Sequence, residues 1–373
     1  MPELIQSEAF EPQWAVPPGD TVATLLAANA ISRETFAETL GASVETVQRL
    51  LLGLEAIDAP LAEKLSSYFG TSQKFWLNRE AQFRADTKRL KASQDTAERE
   101  AWAKQFPLKD MVGLGWINIY RSLSDAADEC LHLFGVPDVT SWRARYGGQH
   151  SVAAFRISNA SKQDPAAITA WLRWAELVAD RTPCAAWNPE TFQQTLEAAR
   201  RLTWQKSPAS FLPKLRALCA RAGVAVVVAR TPKGCPASGA TKFLSHNKAM
   251  IVLSFRYRSD DQFWFTFFHE AGHLLLHGND CVFLEDVGDT TSAEEAEANA
   301  FSASVLIPAD RRVDLAAVPL NKEGVLRFAR SVGIAPGIVV GQLQHMGRIR
   351  PENLNWLKRR YEWEDIQADR LIP

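Results

Sequence analysis

Cysteine is scarce and scattered in this chain. Its 373 residues hold five, Cys130, Cys184, Cys219, Cys235 and Cys281, and none sits in a CxxC pair. An odd, dispersed set of this kind excludes a disulfide framework and a cysteine-ligated metal site. Long apolar runs are missing too. No stretch approaches the roughly 18 continuous apolar residues that span a bilayer, so no membrane partner is expected. The opening MPELIQSEAFEPQW is acidic and lacks the basic start and apolar run of a secretion signal, which predicts a cytoplasmic protein. Charge of one sign is lacking as well. Net charge is −1, from 42 Lys+Arg and 43 Asp+Glu, so the whole chain is no electrostatic magnet for nucleic acid. What is present is 46% hydrophobic and 23% charged. That is a globular profile, over a length that predicts two or three domains.

Residues 1–90 read as a compact helical module. Thr21–Ala28 is an apolar-rich helix. Ser32 can cap RETFAETL, which ends at Gly41, and Ser43 can cap VETVQRLLL, which ends at Gly53. Two short helices joined by a tight glycine-containing turn form a helix-turn-helix pattern. Helices over Pro60–Phe69 and Ser72–Arg84 complete a five-helix bundle. Residues 91–205 form a helical middle region, opening on the charged connector that starts at Thr87. DPAAITAWLRWAELVAD is its clearest amphipathic stretch, and packing accounts for its tryptophans. From 206 to 373 the texture changes to mixed α and β. FLPKLRALCARAG is a helix, GVAVVVAR and AMIVLSF are strands with the loop TPKGCPASGA between them, and DDQFWFTFFHEAGHLLLHG and SAEEAEANAFSASVLIP are helices. The fold class is therefore mainly α with a small α+β domain at the C-terminal end.

HEAGH places His269 and His273 four residues apart. Four residues return to nearly the same helix face one turn on, so both imidazoles can reach one zinc ion. Glu270 lies beside them. It is too close along the helix to be an easy third ligand, and it is well placed as a general base toward water. The apolar FWFTFF ahead of the motif predicts a buried helix, where polar side chains need partners or a metal. For the third ligand the following helix offers Glu294, Glu295 and Glu297, of which Glu295 is preferred. Ser292 and Glu295 equally fit an S-x-x-E capping box. His277, a further turn along, suits a role behind the ligands or toward substrate better than ligation, since three ligands on one straight helix strain a tetrahedral site, and a simple helix-end histidine fits it equally. Asn299, one turn after Glu295, is a second residue placed to support the ligands.

At these residues the chain resembles the ImmA/IrrE metallopeptidases. The likeness runs from about residue 206 to the end, through Ser238–Ala240, MIVLS, FWFTFFHEAGHLLLH, EAEANAFSASVLIP and IAPGIVVGQLQHMG. It implies a zincin-like peptidase domain, zinc held by His269, His273 and Glu295, and Glu270 as the catalytic residue. One departure is FSAS, with Ser302, where the family usually carries FAA. The first 90 residues resemble the Cro/C1-type helix-turn-helix of HigA antitoxins through PPGD (Pro17–Asp20), Ser32–Gly53 and GTSQKFWLN. That likeness implies a reading helix with Val44, Glu45, Gln48 and Arg49 near base edges of double-stranded DNA, where Gln suits adenine and Arg suits guanine. Charge argues the other way. Residues 1–86 hold six Lys/Arg and twelve Asp/Glu, 6 − 12 = −6, a poor balance for neutralising phosphate.

Together these readings predict a DNA-binding regulator joined to a zinc endopeptidase that cleaves a repressor or antitoxin-like regulatory protein. A homodimer is compatible with such a module. The alternative is a HigA-like antitoxin or repressor without enzymatic activity, whose C-terminal domain senses or binds a partner. His277 and Tyr257 are the candidates for stabilising a developing oxyanion.

Overall fold

Serine hydroxyls open two of the first three helices. Ser32 accepts a hydrogen bond from the Thr35 backbone N–H at the start of α2 (Arg33–Leu40), and Ser43 accepts one from Thr46 at the start of α3 (Val44–Leu51). Each bond satisfies an amide that the helix itself leaves without a partner. Between the two helices Gly41 adopts a φ of 63°, the left-handed turn that glycine enters without a steric penalty. The computed structural model describes residues 14–93, 96–146, 164–278, 283–285 and 293–366. Cys281, Ser292 with its capping box, and most of the opening peptide lie outside them.

With α1 (Pro18–Ala28), α4 (Ala59–Phe69) and α5 (Gln73–Ser93), these helices form the expected five-helix bundle. Its core is Val22, Leu26, Phe36, Leu40, Val47, Leu50, Leu65 and Trp76. The last helix runs well past Arg84, to Ser93. The chain divides into two compact units, 1–108 with 117–148, and 109–116 with 149–373. The stretch 91–205, read as one middle region, is shared between them. Its first part supplies α6 (Thr96–Ala103), α7 (Leu123–Phe134) and α8 (Val139–Tyr146), whose rings Trp102, Phe134 and Trp142 pack edge to face within the first unit.

Its second part belongs to the second unit. The helix α9 (Pro165–Arg181) buries Ala167, Ile168, Trp171, Leu172, Trp174 and Ala175. A helix apolar over so much of its girth must be covered on more than one side, and one cover is the sheet. The Trp171 indole donates to the Ala229 carbonyl at 2.9 Å, and Lys242 reaches Glu176 at 2.5 Å. Burial alone would raise the Glu176 carboxyl, but Lys242 and Arg173 outweigh it and hold the group below the usual carboxylate range.

After α10 (Pro189–Leu202) and α11 (Pro208–Ala220) comes a sheet in the order β1-β3-β2-β4. The strands β1 (Val224–Val228) and β3 (Lys248–Leu253) are the two expected apolar runs, paired in parallel with Val226 opposite Ile251. Between them in sequence lies β2 (Gly239–Ser245), antiparallel to β3 and to the short β4 (Phe283–Glu285). Its start, at Gly239, falls within the expected loop TPKGCPASGA. Only its first half is fully buried, so it carries no continuous apolar run.

Across this sheet lies α12 (Asp260–Leu276), which carries HEAGH. It is packed through Phe263, Trp264, Phe267, Phe268, Ala271 and Leu274. Next come α13 (Ala293–Leu306), α14 (Lys322–Val332) and α15 (Pro336–His345). The last two meet at 107° across a turn in which Gly333 has a φ of 82°. This is helix-turn-helix geometry, yet Pro336 to Val340 are buried, so the first turn of the second helix is closed to a nucleic acid. Instead α15 meets the first turn of α12. A side chain on Gly337 would strike Asp260, and one on Gly341 would press on Asp261. No single described helix is long and apolar enough to cross a membrane.

The two aspartates at the foot of α12 favour its positive dipole end. Asp260 accepts from the Asp261 and Arg359 amides at 2.9 and 3.0 Å, and Asp261 pairs with Lys358 at 2.6 Å. Burial, helped by the Asp261 charge, pushes the Asp260 carboxyl up to about 7. Between the unfolded carboxyl value near 3.9 and this one, the folded chain keeps a proton that the unfolded chain has released. This group's contribution to stability therefore falls as pH rises from about 4 to about 7. Asp260→Asn keeps the acceptor oxygen and removes the titration. Calorimetry at stepped pH should show a flatter decline for the variant over that range. An unchanged slope would contradict the assignment.

Candidate metal centre

The site is built where α12 crosses α13. His269, Glu270 and His273 are 1%, 0% and 1% exposed. The two imidazoles face each other through their Nε2 atoms at 2.9 Å. Glu295, from the first turn of α13, reaches both: Oε2 lies 3.2 Å from His269 Nε2 and Oε1 lies 3.3 Å from His273 Nε2. Of the three acidic candidates on that helix, Glu295 meets the imidazoles, whereas Glu297 turns to His277. One ligand atom from each of His269, His273 and Glu295 falls within 4.8 Å of the others, and among the described residues this is the group able to hold a metal ion. Two imidazoles and a carboxylate on two helices are a three-ligand donor set of the kind that zinc accepts.

Gly272 makes the crossing close. A Cβ there would lie 3.0 Å from the Phe301 ring and 3.3 Å from the Ala298 Cα. Ser302 fastens the same crossing, its hydroxyl donating to the Phe265 carbonyl at 2.9 Å. The serine that departs from the family pattern thus has a structural task. Neither Gly272 nor Ser302 was singled out for this from sequence. The glycine inside HEAGH was the available signal.

On its other nitrogen each imidazole has a partner. His269 Nδ1 lies 3.0 Å from Asn299 Oδ1, an oxygen that can only accept, so the ring N–H donates. That leaves the His269 Nε2 lone pair facing Glu295. His273 Nδ1 lies 2.9 Å from His277 Nδ1, and His277 Nε2 lies 3.0 Å from Glu297 Oε2. Burial lowers the His273 imidazole below its ordinary value, against the pull of Glu295. For Glu295 burial acts upward, but hydrogen bonds and charge from His269 and His273, when these rings carry a second proton, outweigh it and hold the carboxyl at about 2.

Glu270 lies under β2. A side chain on Gly239 would come within 2.8 Å of Glu270 Oε1, so only glycine leaves the carboxylate its place. The Thr241 hydroxyl, one strand pair on, donates to the Glu270 backbone carbonyl at 3.3 Å. The SGA that carried the family likeness is therefore the strand start resting on Glu270. Tyr257 sits in the turn ahead of α12, with the Arg256 guanidinium 5.5 Å from its ring centre.

The four residues proposed to read DNA share the outward side of α3, whose inward side is Val47, Leu50 and Leu51. Val44, Glu45 and Arg49 are exposed and Gln48 is half-buried. Gln48 and Arg49 have partners within the module. Arg33 donates to the Gln48 side-chain oxygen at 3.0 Å, and Arg49 pairs with Glu55 at 3.1 Å.

Fold and site together define a peptidase-type domain. Residues 219–339, from the end of α11 into the first turn of α15, match the M78 peptidase family model, described as the IrrE N-terminal-like domain. The N-terminal region is similar to solved antidote proteins. One is a putative antidote protein of a plasmid maintenance system from Nostoc punctiforme PCC 73102, 29% identical, covering 19% of this chain and 79% of that one, with a TM-score of 0.19. Another is an addiction module antidote protein of a HigA family from Coxiella burnetii, 24% identical, covering 22% of this chain and 97% of that one, with a TM-score of 0.19. No curated protein matches the chain.

Gly272→Leu tests the crossing. The added bulk should push α13 away and carry Glu295 off the imidazoles, lowering zinc affinity at least about tenfold in chelator competition. Unaltered affinity in a folded variant would show that the close approach is not needed.

Proposed function

We propose that this chain is a zinc-dependent endopeptidase acting on a regulatory protein, joined to a helix-turn-helix module that reads double-stranded DNA. The observation that carries the first half is the convergence of His269, His273 and Glu295 with Glu270 buried beside them. His269, His273 and Glu295 hold the ion. Bound there, zinc supplies a Lewis acid that polarises a carbonyl and acidifies water. Glu270 is the general base, taking a proton as water adds to the scissile carbonyl and returning it to the leaving amine. Its place on the ligands' own helix, fixed from above by Gly239 and Thr241, keeps the carboxylate beside the reacting centre. The substrate class, a repressor or antitoxin-like protein, is supported by the family match and by the module at the other end of the chain.

Glu270→Gln tests the peptidase reading. Lysate proteins incubated with wild-type chain should gain new N-termini detectable by mass spectrometry. The variant should form them about 10²–10⁴-fold more slowly while keeping its zinc. Cleavage that survives the change with zinc retained would end the reading.

For the module, the outward face of α3 supports DNA reading. A second reading, a surface for protein contacts, is favoured by the −6 balance of residues 1–86 and by the pairing of Arg49 with Glu55. A gel shift on the protein's own promoter separates them. DNA reading predicts retardation at low salt that weakens steeply as salt rises, and is reduced in Gln48→Ala with Arg49→Ala. No retardation even at low salt would leave the protein-contact reading.

A further inference from the structure

We propose that Glu297 and His277 form a positioning relay that sets which nitrogen of His273 is free to hold the metal. The inference rests on the metal reading above and deepens it. Its elements are the 3.0 Å contact of Glu297 Oε2 with His277 Nε2 and the 2.9 Å contact of His277 Nδ1 with His273 Nδ1.

The polarity follows from what each atom can do. A carboxylate only accepts hydrogen bonds, so His277 must donate from Nε2. In its neutral form, which has one N–H, His277 is then bare at Nδ1 and accepts there. Its partner across 2.9 Å is His273 Nδ1, which therefore carries the proton. His273 Nε2 is left with its lone pair, and it is this atom that faces His269 and Glu295. Charge on Glu297 is thus converted, through two rings, into a metal-ready His273. Asn299 does the same for His269 in one step, since its side-chain oxygen can only accept. The two ligands reach the same tautomer by different means, one from a neutral amide and one from a carboxylate that is 62% exposed. An exposed end makes the His273 arm the one that a neighbouring charge can reverse.

Reversal is the test. Arginine only donates, so in Glu297→Arg His277 Nε2 must accept. The His277 proton moves to Nδ1, His273 Nδ1 must accept it, and the His273 proton moves to Nε2, where it blocks the metal. The full chain is titrated with zinc alone against a chromophoric chelator, and histidine ¹⁵N shifts are recorded for the zinc-free chain. His277→Ala and Glu297→Arg should each weaken zinc binding about 10–100-fold. Glu297→Gln and His277→Asn retain an accepting oxygen toward the next donor, and should stay within about threefold of wild type. Zinc-free wild type should show His273 protonated at Nδ1, and Glu297→Arg should show it protonated at Nε2. Because Glu297 is on the surface, its variants report even where His277→Ala does not fold. Glu297→Arg within twofold of wild type with an unmoved tautomer would overturn the relay. Wild type that binds no zinc would instead end the metal reading, while the ¹⁵N shifts would still report on the relay.

Discussion

The site depends on one close approach. Two helices from different parts of the second unit come near enough for a carboxylate on one to span two imidazoles on the other, and Gly272 is the residue that permits it. The Ser302 hydroxyl ties α13 to the α12 backbone at the same crossing, and the buried aromatic side of α12 fixes the helix against the sheet. At its foot, α12 is held by the Arg359 amide and the Lys358 ammonium from the chain's last described segment, which grip Asp260 and Asp261. A helix clamped along its length and at one end has little freedom to rotate, and rotation would carry the imidazoles away from Glu295. Preorganisation of this kind keeps ligands within the narrow geometry that a metal requires.

How much of this was legible beforehand depends on how local each feature is. His269 and His273 share a face of one helix, so their spacing alone predicts their pairing, and Glu270 follows from the same turn. Glu295 is a different case. Three acids lie within four residues, and only the crossing angle decides which of them meets the imidazoles. Glu297, which faces His277, could not be read for the same reason. The strand β2 was read in part as loop because its outer half is polar and half-exposed. The packing of α9 on the sheet hides in a stretch whose tryptophans explain themselves equally well by any core, and the Trp171 bond to Ala229 and the Lys242–Glu176 pair show which core it is. The five-helix module was legible down to its caps because serine caps and left-handed glycines act within a turn.

The two helix-turn-helix geometries in this chain differ in what they leave accessible. In the first unit the outward side of α3 is open, although Arg33 and Glu55 engage two of its polar side chains. In the second unit the corresponding helix α15 is buried against the foot of α12. The same two-helix corner therefore leaves a helix face exposed in one unit and clamps α12 in the other. Burial, rather than the corner itself, separates the two uses.

The central claim is that His269, His273 and Glu295 hold one zinc ion. X-ray absorption at the zinc edge of the full chain tests it most directly. The account predicts one zinc per chain, with two imidazole nitrogens at about 2.0–2.1 Å, oxygen donors for the rest and no sulfur. A chain that retains no zinc, or a spectrum with a single imidazole or a sulfur ligand, would contradict it.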